Sequence, residues 1–158
     1  MKKTNTKIKS ELSVDLSKRP PRSPRARLGG FVWLPRLIDK ARASASGTLG
    51  EYHFEKGLDV HFFKFVGIAP DAFKKQAAKT PGDGEVLAWV QANAKHKREP
   101  WEVAAWSHYH ENRVPDSDAE TVDFFAGLVR KLSITREDVR TYYEYLDLDD
   151  YCSFGGKA

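Results

Sequence analysis

The fold of this chain is constrained most by a series of short apolar stripes at helical spacing, each bounded by proline, glycine or a capping residue. The first stripe begins at Leu34, where Pro35 suits a first helical turn, and Gly47 is a natural stop after it. Further helices are predicted over residues 59–66, 70–79, 84–95 and 100–112. The last two are predicted to start at the capping patterns of residues 117–120 and 135–138.

These stripes predict a mainly α protein, built as a compact single-domain bundle of about six to seven short helices with an extended N-terminal basic arm. No convincing pair of alternating segments is present, so the only strand pairing that we expect is a two-stranded one near residues 49–54. The predicted core includes Leu37, Ile38, Phe62, Phe65, Val90, Phe125 and Leu132.

A chain of 158 residues fits one domain and buries enough surface to fold without a metal ion or a disulfide. We expect a flexible lysine-rich tail over residues 1–14, a helical domain over 15–148 and a flexible tail over 149–158. The single cysteine, Cys152, excludes an internal disulfide, and no apolar run approaches the ~20 residues that span a bilayer. Because no apolar stretch follows the lysine-rich start, we expect no secretory signal, and therefore a cytoplasmic protein without a membrane partner.

The net charge of +4 is distributed unevenly along the chain. Residues 1–42 hold twelve Lys or Arg against three Asp or Glu, whereas residues 43–158 hold fourteen against nineteen. The densest basic run lies in residues 15–30, here called the basic strap, where three prolines prevent a helix and favour an extended chain. This asymmetry indicates an arm that contacts an anion, or an arm that lies across its own acidic body.

Four segments carry a resemblance to a known family. They are Asp-Leu-Ser-Lys-Arg-Pro-Pro-Arg-Ser-Pro-Arg-Ala-Arg-Leu-Gly-Gly (15–30), Leu-Pro-Arg-Leu-Ile-Asp-Lys-Ala-Arg-Ala (34–43), Gly-Glu-Tyr-His-Phe (50–54) and Gly-Asp-Gly-Glu-Val-Leu-Ala-Trp-Val (82–90). The chain resembles a bacterial family of small proteins known only as a domain of unknown function, marked by the opening motif D-L-x-x-R-P-P-R-S-P-R-x-R-L-G-G. The resemblance extends over residues 15–148 and implies no activity, cofactor or catalytic residue.

The basic strap is the main functional candidate. Its arginines precede two glycines and a helix start, and this combination suits an anion because guanidinium groups hold carboxylate or phosphate oxygens and a helix N-terminus adds partial positive charge. The candidate anion-binding residues, which include the next helix and a nearby loop, are Arg19, Arg22, Arg25, Arg27, Gly29, Gly30, Arg36, Glu51, Tyr52 and His53.

Two other interpretations of the basic strap stay open. Its arginines could pair with the acidic body, for instance with Glu51, Asp59 or residues 147–150. The arm could also bind nucleic acid, although no aromatic residue is interleaved with its basic residues before Phe31.

Residues 51–54 place a carboxylate, a phenol, an imidazole and a phenyl ring in a loop that follows a glycine. Loops on a rigid scaffold often carry binding residues, although a loop of this composition could equally close the core. The alternative function is therefore an enzyme that acts on a small anionic substrate near Arg22, Arg25 and Arg27, with residues 51–53 as its polar groups.

We find no nucleophile–base pair, nucleotide-binding fingerprint or set of metal ligands in the sequence. His108 and His110, two positions apart on a predicted helix, point to opposite sides and cannot share one ion. We therefore expect no metal and no cofactor and assign no catalytic residue. The favoured function is a non-enzymatic binding or interaction module that uses the basic strap against an anionic small molecule or an acidic protein surface.

Overall fold

The computed structural model describes residues 14–158, and these form seven α-helices and one two-stranded hairpin. The mainly α fold predicted from the apolar stripes is therefore confirmed. Strands β1 (Arg27–Leu28) and β2 (Phe31–Val32) pair in the antiparallel sense. The helices are α1 (Leu34–Ser46), α2 (Leu58–Val66), α3 (Pro70–Lys79), α4 (Asp83–Asn93), α5 (Pro100–Asn112), α6 (Ala119–Leu132) and α7 (Tyr142–Ser153).

The strand pairing lies within residues 27–32, so its expected position near residues 49–54 was wrong. Gly29 and Gly30 form the two-residue turn, with φ of 58° and 84°, a conformation that glycine adopts without steric cost. A Cβ atom on Gly29 would also lie 2.6 Å from the side chain of Leu87. The part of the basic strap that precedes the hairpin, residues 15–26, contains turns and no helix, in agreement with its prolines.

Helix α1 lies at the centre of the domain. Each of its residues from Leu34 to Ala43 is buried, and the helix packs along α3 and against β1. Four of the buried side chains on α1 are charged, namely those of Arg36, Asp39, Lys40 and Arg42. Because a buried charge without a partner is costly, the surrounding elements must supply groups of opposite charge or hydrogen-bond partners for all four.

The main core is rich in aromatic rings that meet edge to face. Phe31 lies 5.5 Å from Phe62 and 6.3 Å from Trp106, measured between ring centroids. Most of the residues predicted to form the core are buried, and Phe65 and Leu132 are half-buried. A smaller core joins α6 to α7 and contains Phe125, Val129, Val139 and Leu148.

Both ends of the last helix differ from the sequence expectation. Helix α7 begins at Tyr142, after residues 135–138, because Thr141 and Glu144 form a capping box in which each side chain accepts a hydrogen bond from the other's backbone N–H. The helix then continues to Ser153, past residue 148, where we expected the domain to end.

The predicted N-terminal tail over residues 1–14 lies outside the described residues except for Val14. That residue is buried and packs with Leu16 and Ala43. Within residues 14–158, no helix is long and apolar enough to cross a membrane.

The small core between α6 and α7 gives a direct test of packing. Phe125→Ala should lower the free energy of unfolding by about 3–5 kcal/mol, because the side chain is only 6% exposed and its removal leaves a cavity. The neighbouring Phe124 is 67% exposed, so Phe124→Ala should stay within about 0.5 kcal/mol of the wild type. Urea denaturation of both variants measures the difference, and equal midpoints would show that Phe125 is not packed in the small core.

Candidate functional site

The described part of the chain contains a cleft of about 760 Å³. Its walls come from the start of α1, the loop of residues 50–57, α2, the end of α5 and one face of α7. We call it the aromatic cleft because six aromatic rings line it, those of Trp33, Tyr52, Tyr142, Tyr143, Tyr145 and Phe154.

Trp33 forms the back wall of the aromatic cleft in an unusual backbone conformation. Its φ of 71° lies in the left-handed region, which bulky residues rarely adopt, and it is the residue just before α1. The ring stacks on Tyr143, with 5.8 Å between the ring centroids. Strained residues of this kind concentrate at functional sites, where the surrounding structure holds them in place.

The fully buried carboxylate of Asp59 accepts three hydrogen bonds, one of them from Trp33. Asp59 accepts from the Lys40 ammonium at 2.7 Å, from the Trp33 indole N–H at 2.8 Å and from the Glu55 backbone N–H at 3.0 Å. Burial lowers the pKa of Lys40, and the attraction of Asp59 opposes that effect. The contacts fix the indole and the ammonium relative to each other.

A second buried pair lies one helical turn earlier on α1. Arg36 donates to both carboxylate oxygens of Asp150, at 2.7 and 3.3 Å, and to the backbone carbonyl of Arg22 at 3.1 Å. Tyr52 donates its hydroxyl proton to Asp150 at 2.6 Å. Burial and this hydrogen bond raise the pKa of Tyr52, so its phenol stays protonated at neutral pH.

The far side of the aromatic cleft contains two histidines and an arginine. The rings of His61 and His110 are 5.3 Å apart, and His110 also packs on Trp106 at 4.4 Å. Burial lowers the pKa of His110 to about 4, and the charges of His61 and Arg113 act in the same direction. His110 is therefore neutral at pH 7.

His110 should make stability depend on pH. Unfolded His110 takes up a proton near its ordinary pKa of 6.5, whereas the folded residue does so only near 4, so its contribution to stability is complete above pH 6.5 and is lost as pH falls toward 4. His110→Gln should remove this component. His108→Gln, an exposed position on the same helix, should retain it. Urea midpoints between about pH 4 and 7 measure the three profiles, and parallel profiles for wild type and His110→Gln would contradict the assignment.

The arginines of the basic strap lie outside the aromatic cleft, although Leu16 and Ser17 of the strap line it. Arg22 donates to Asp39 through its side chain at 2.8 and 3.0 Å and through its backbone N–H at 2.9 Å. It also donates to Asp83 and to the Pro35 carbonyl. Arg22 therefore joins α1 to the start of α4, and most of its side-chain N–H groups donate within the domain.

The other arginines of the basic strap contact different carboxylates. Arg25 lies 3.4 Å from both Glu144 and Asp147 on α7, and Arg27 donates to Glu111 on α5 at 2.5 Å. These contacts agree with the interpretation in which the arginines of the basic strap pair with the acidic body. None of these arginines lines the aromatic cleft.

The remaining candidates divide between two places. Arg27, Gly29 and Gly30 line a separate, smaller cavity of about 320 Å³, and the exposed Arg19 makes no hydrogen bond or ion pair with any residue of the described range 14–158. Arg36, Glu51, Tyr52 and His53 all line the aromatic cleft, and Arg36 stands over the rings of Trp33 and Tyr52.

One family model matches residues 18–152, that of the Domain of unknown function (DUF5069). The chain belongs to this family. The expected resemblance to a domain of unknown function is confirmed, whereas the bacterial origin and the opening motif stay predictions. No curated protein matches the chain. The DUF5069 match includes α1 and nearly all of α7, so both main walls of the aromatic cleft belong to the family domain.

Several residues of the aromatic cleft were not expected from the DUF5069 sequence. Lys40 and Asp149, which line the cleft, and Asp59, which contacts Lys40, come from three helices whose approach in space is not encoded in their spacing. A usable signal existed on α1, where Arg36 and Lys40 stand one helical turn apart on an otherwise apolar stripe. Charged side chains at such positions must find partners in the interior.

Within residues 14–158, no group of three His, Cys, Asp or Glu side chains is placed to hold a metal ion.

Proposed function

We propose that this protein binds a small aromatic molecule with an acidic group in the aromatic cleft, as a non-enzymatic binding module. The supporting observation is that one cleft of about 760 Å³ combines six aromatic rings with Lys56 and Arg113, two cations that have no carboxylate partner within residues 14–158. Sites for small organic molecules have this size, and they are mostly apolar with a few polar groups.

The acidic group of such a ligand fits the end of the aromatic cleft at Arg113. The Arg113 guanidinium stands 5.1 Å from the centre of the Tyr142 ring, and its charge reaches His110 strongly enough to lower the pKa of that residue, although burial contributes more. An anion here would interact with a planar guanidinium, which forms two-point hydrogen bonds with carboxylates and sulfonates.

The opposite end of the aromatic cleft contains the carboxyl group of Asp149. Tyr142, Tyr145 and Asp149 are spaced along one face of α7, so Asp149 lies about 10 Å from Tyr142 along the helix axis. Burial raises the pKa of Asp149, and the charge of Asp150 adds to this effect. Opposite charges at the two ends would orient a ligand with its acidic group toward Arg113.

The binding function proposed here uses the aromatic cleft in place of the basic strap. Arg22, Arg25 and Arg27 each pair with a carboxylate of the domain, and we assign them a structural role on that ground. Binding of nucleic acid by the strap stays a prediction.

Two matched dyes test the proposal. The probe 8-anilino-1-naphthalenesulfonate is aromatic and anionic, and N-phenyl-1-naphthylamine has the same rings without the sulfonate. We expect saturable binding of the sulfonate by fluorescence titration, and Arg113→Met should weaken it about tenfold because a charge-assisted hydrogen bond is lost. The neutral dye should be bound equally by wild type and Arg113→Met.

The matched control is Arg98→Met. Arg98 also stacks on an aromatic ring, Phe65, at 4.5 Å, but it lies outside the aromatic cleft. Its replacement should leave the affinity for the sulfonate unchanged. Equal affinities for the two dyes, or equal losses in the Arg98 and Arg113 variants, would overturn the proposal.

A further inference from the structure

Lys40 has an environment that a purely structural lysine does not need. Its side chain is 7% exposed, yet it lines the aromatic cleft, and its ammonium stands 5.2 Å from the centre of the Trp33 ring. Among residues 14–158, Asp59 is the only hydrogen-bond partner of the Lys40 Nζ atom. An ammonium has three N–H bonds, so two of them have no acceptor in the described chain.

Two features of the surroundings oppose the charged form of Lys40, whereas the carboxylates of Asp59 and Asp150 support it. Burial lowers the pKa of Lys40, and the Arg36 guanidinium, one helical turn away, acts in the same direction. Desolvation and a neighbouring cation are the two means by which proteins turn lysine into a nucleophile. Lys56, which lines the same cleft, is exposed, and its ammonium forms no ion pair with Asp59.

Asp59 is placed to hold the proton that Lys40 must lose. Its Oδ1 atom is 2.7 Å from Lys40 Nζ, and its orientation is fixed by the hydrogen bonds from Trp33 and Glu55. A carboxylate that is fully buried and already oriented needs no rearrangement to accept a proton from the ammonium.

We propose that Lys40 is an amine nucleophile that forms a Schiff base with an aldehyde or ketone admitted to the aromatic cleft. The ammonium first gives a proton to Asp59. The amine nitrogen then bonds to the carbonyl carbon, the carbonyl π electrons move to the oxygen, and that oxygen is protonated and leaves as water with the proton from Asp59 and one from the nitrogen. This inference rests on the proposed function only in that both use the aromatic cleft.

Reductive trapping tests the proposal. The full-length protein is incubated at neutral pH with 4-carboxybenzaldehyde, an aromatic aldehyde with an acidic group, and with sodium cyanoborohydride. Hydride from the second reagent adds to the iminium carbon and gives a stable secondary amine. Peptide mapping by mass spectrometry then gives the rate of carboxybenzylation at each lysine. We expect Lys40 to react about tenfold or more faster than Lys56, because a positioned amine has a high effective concentration.

Two conservative variants serve as controls. Lys40→Arg keeps the positive charge beside Asp59 but cannot form a Schiff base, so the fast labelling should disappear while circular dichroism stays unchanged. Lys56→Arg should retain fast labelling of Lys40. If Lys40→Arg fails to fold, the comparison of Lys40 with Lys56 within the wild-type protein still decides the question.

The outcomes separate this inference from the proposed function. Fast labelling of Lys40 that is slowed by 8-anilino-1-naphthalenesulfonate supports both. Fast labelling without dye binding supports the nucleophile and removes the proposed function. Dye binding with labelling that follows surface exposure, so that Lys56 reacts at least as fast as Lys40, overturns the nucleophile and leaves the proposed function intact.

Discussion

Asp59→Asn should lower the free energy of unfolding by about 3–5 kcal/mol. The substitution keeps the size of the side chain but removes the charge that faces the Lys40 ammonium at 2.7 Å. Asp59 is fully buried and Lys40 nearly so, and removal of one partner leaves an uncompensated charge in a medium that solvates it poorly. Urea denaturation at neutral pH, followed by circular dichroism, measures the loss.

The surface pair between Asp71 and Lys74 provides the matched control. These two residues lie 3.2 Å apart on α3, but the Asp71 side chain is 75% exposed and water screens the interaction. Asp71→Asn should therefore change stability by at most about 1 kcal/mol. Similar losses for Asp59→Asn and Asp71→Asn would show that the Lys40–Asp59 pair is not desolvated as described.

Removal of residues 149–158 should unfold the domain or reduce its stability by about 3–5 kcal/mol or more. The deletion takes away Asp150, which accepts hydrogen bonds from Arg36 and Tyr52. Arg36 would then be a buried guanidinium with no carboxylate partner. Thermal unfolding of the shortened chain is the direct measurement, and Asp150→Asn tests the same contact at full length.

A shorter deletion separates this effect from the loss of chain length. Removal of residues 155–158 leaves α7 complete, because the helix ends at Ser153. This variant should unfold close to the wild-type temperature. If both deletions were equally harmless, the Arg36–Asp150 pair would contribute nothing measurable to the fold.

The helices could be predicted because their signals are local. Pro35, Pro70 and Pro100 stand at first turns, Gly47 and Gly67 stop helices with positive φ, and the apolar stripes follow the helical period. Thr141 and Glu144 also fit a capping box, but the similar pattern at residues 135–138 gave a predicted start of α7 that was too early. There the Ser133 hydroxyl accepts hydrogen bonds from the backbone N–H groups of residues 135 and 136 and forms a turn.

The C-terminal boundary of the domain was harder to predict from the sequence. The acidic, glycine-ending stretch after Asp147 has the composition of a solvated tail. Its structure depends on the contact of Asp150 with Arg36, 114 residues earlier in the chain. Composition therefore described these residues correctly as polar, but it could not show that one of the carboxylates is needed in the interior.

The candidate site was predictable in part. The loop of Glu51, Tyr52 and His53 was singled out for its mixture of polar and aromatic groups, and with Arg36 it lines the aromatic cleft. The arginines of the basic strap do not line this cleft; they pair with carboxylates on α1, α4, α5 and α7. A list of basic residues does not reveal which of them already have partners.

The distance along the chain between Arg36 and Asp150 has a consequence for folding during synthesis. At about 5–20 residues per second, a ribosome needs roughly 6–23 seconds to add the 114 residues that separate them. During that interval α1 can pack with α3, but the Arg36 guanidinium has no carboxylate partner, because Asp150 has not yet been added to the chain. The contact between Arg36 on the central helix and Asp150 can therefore form only after the last helix has been made.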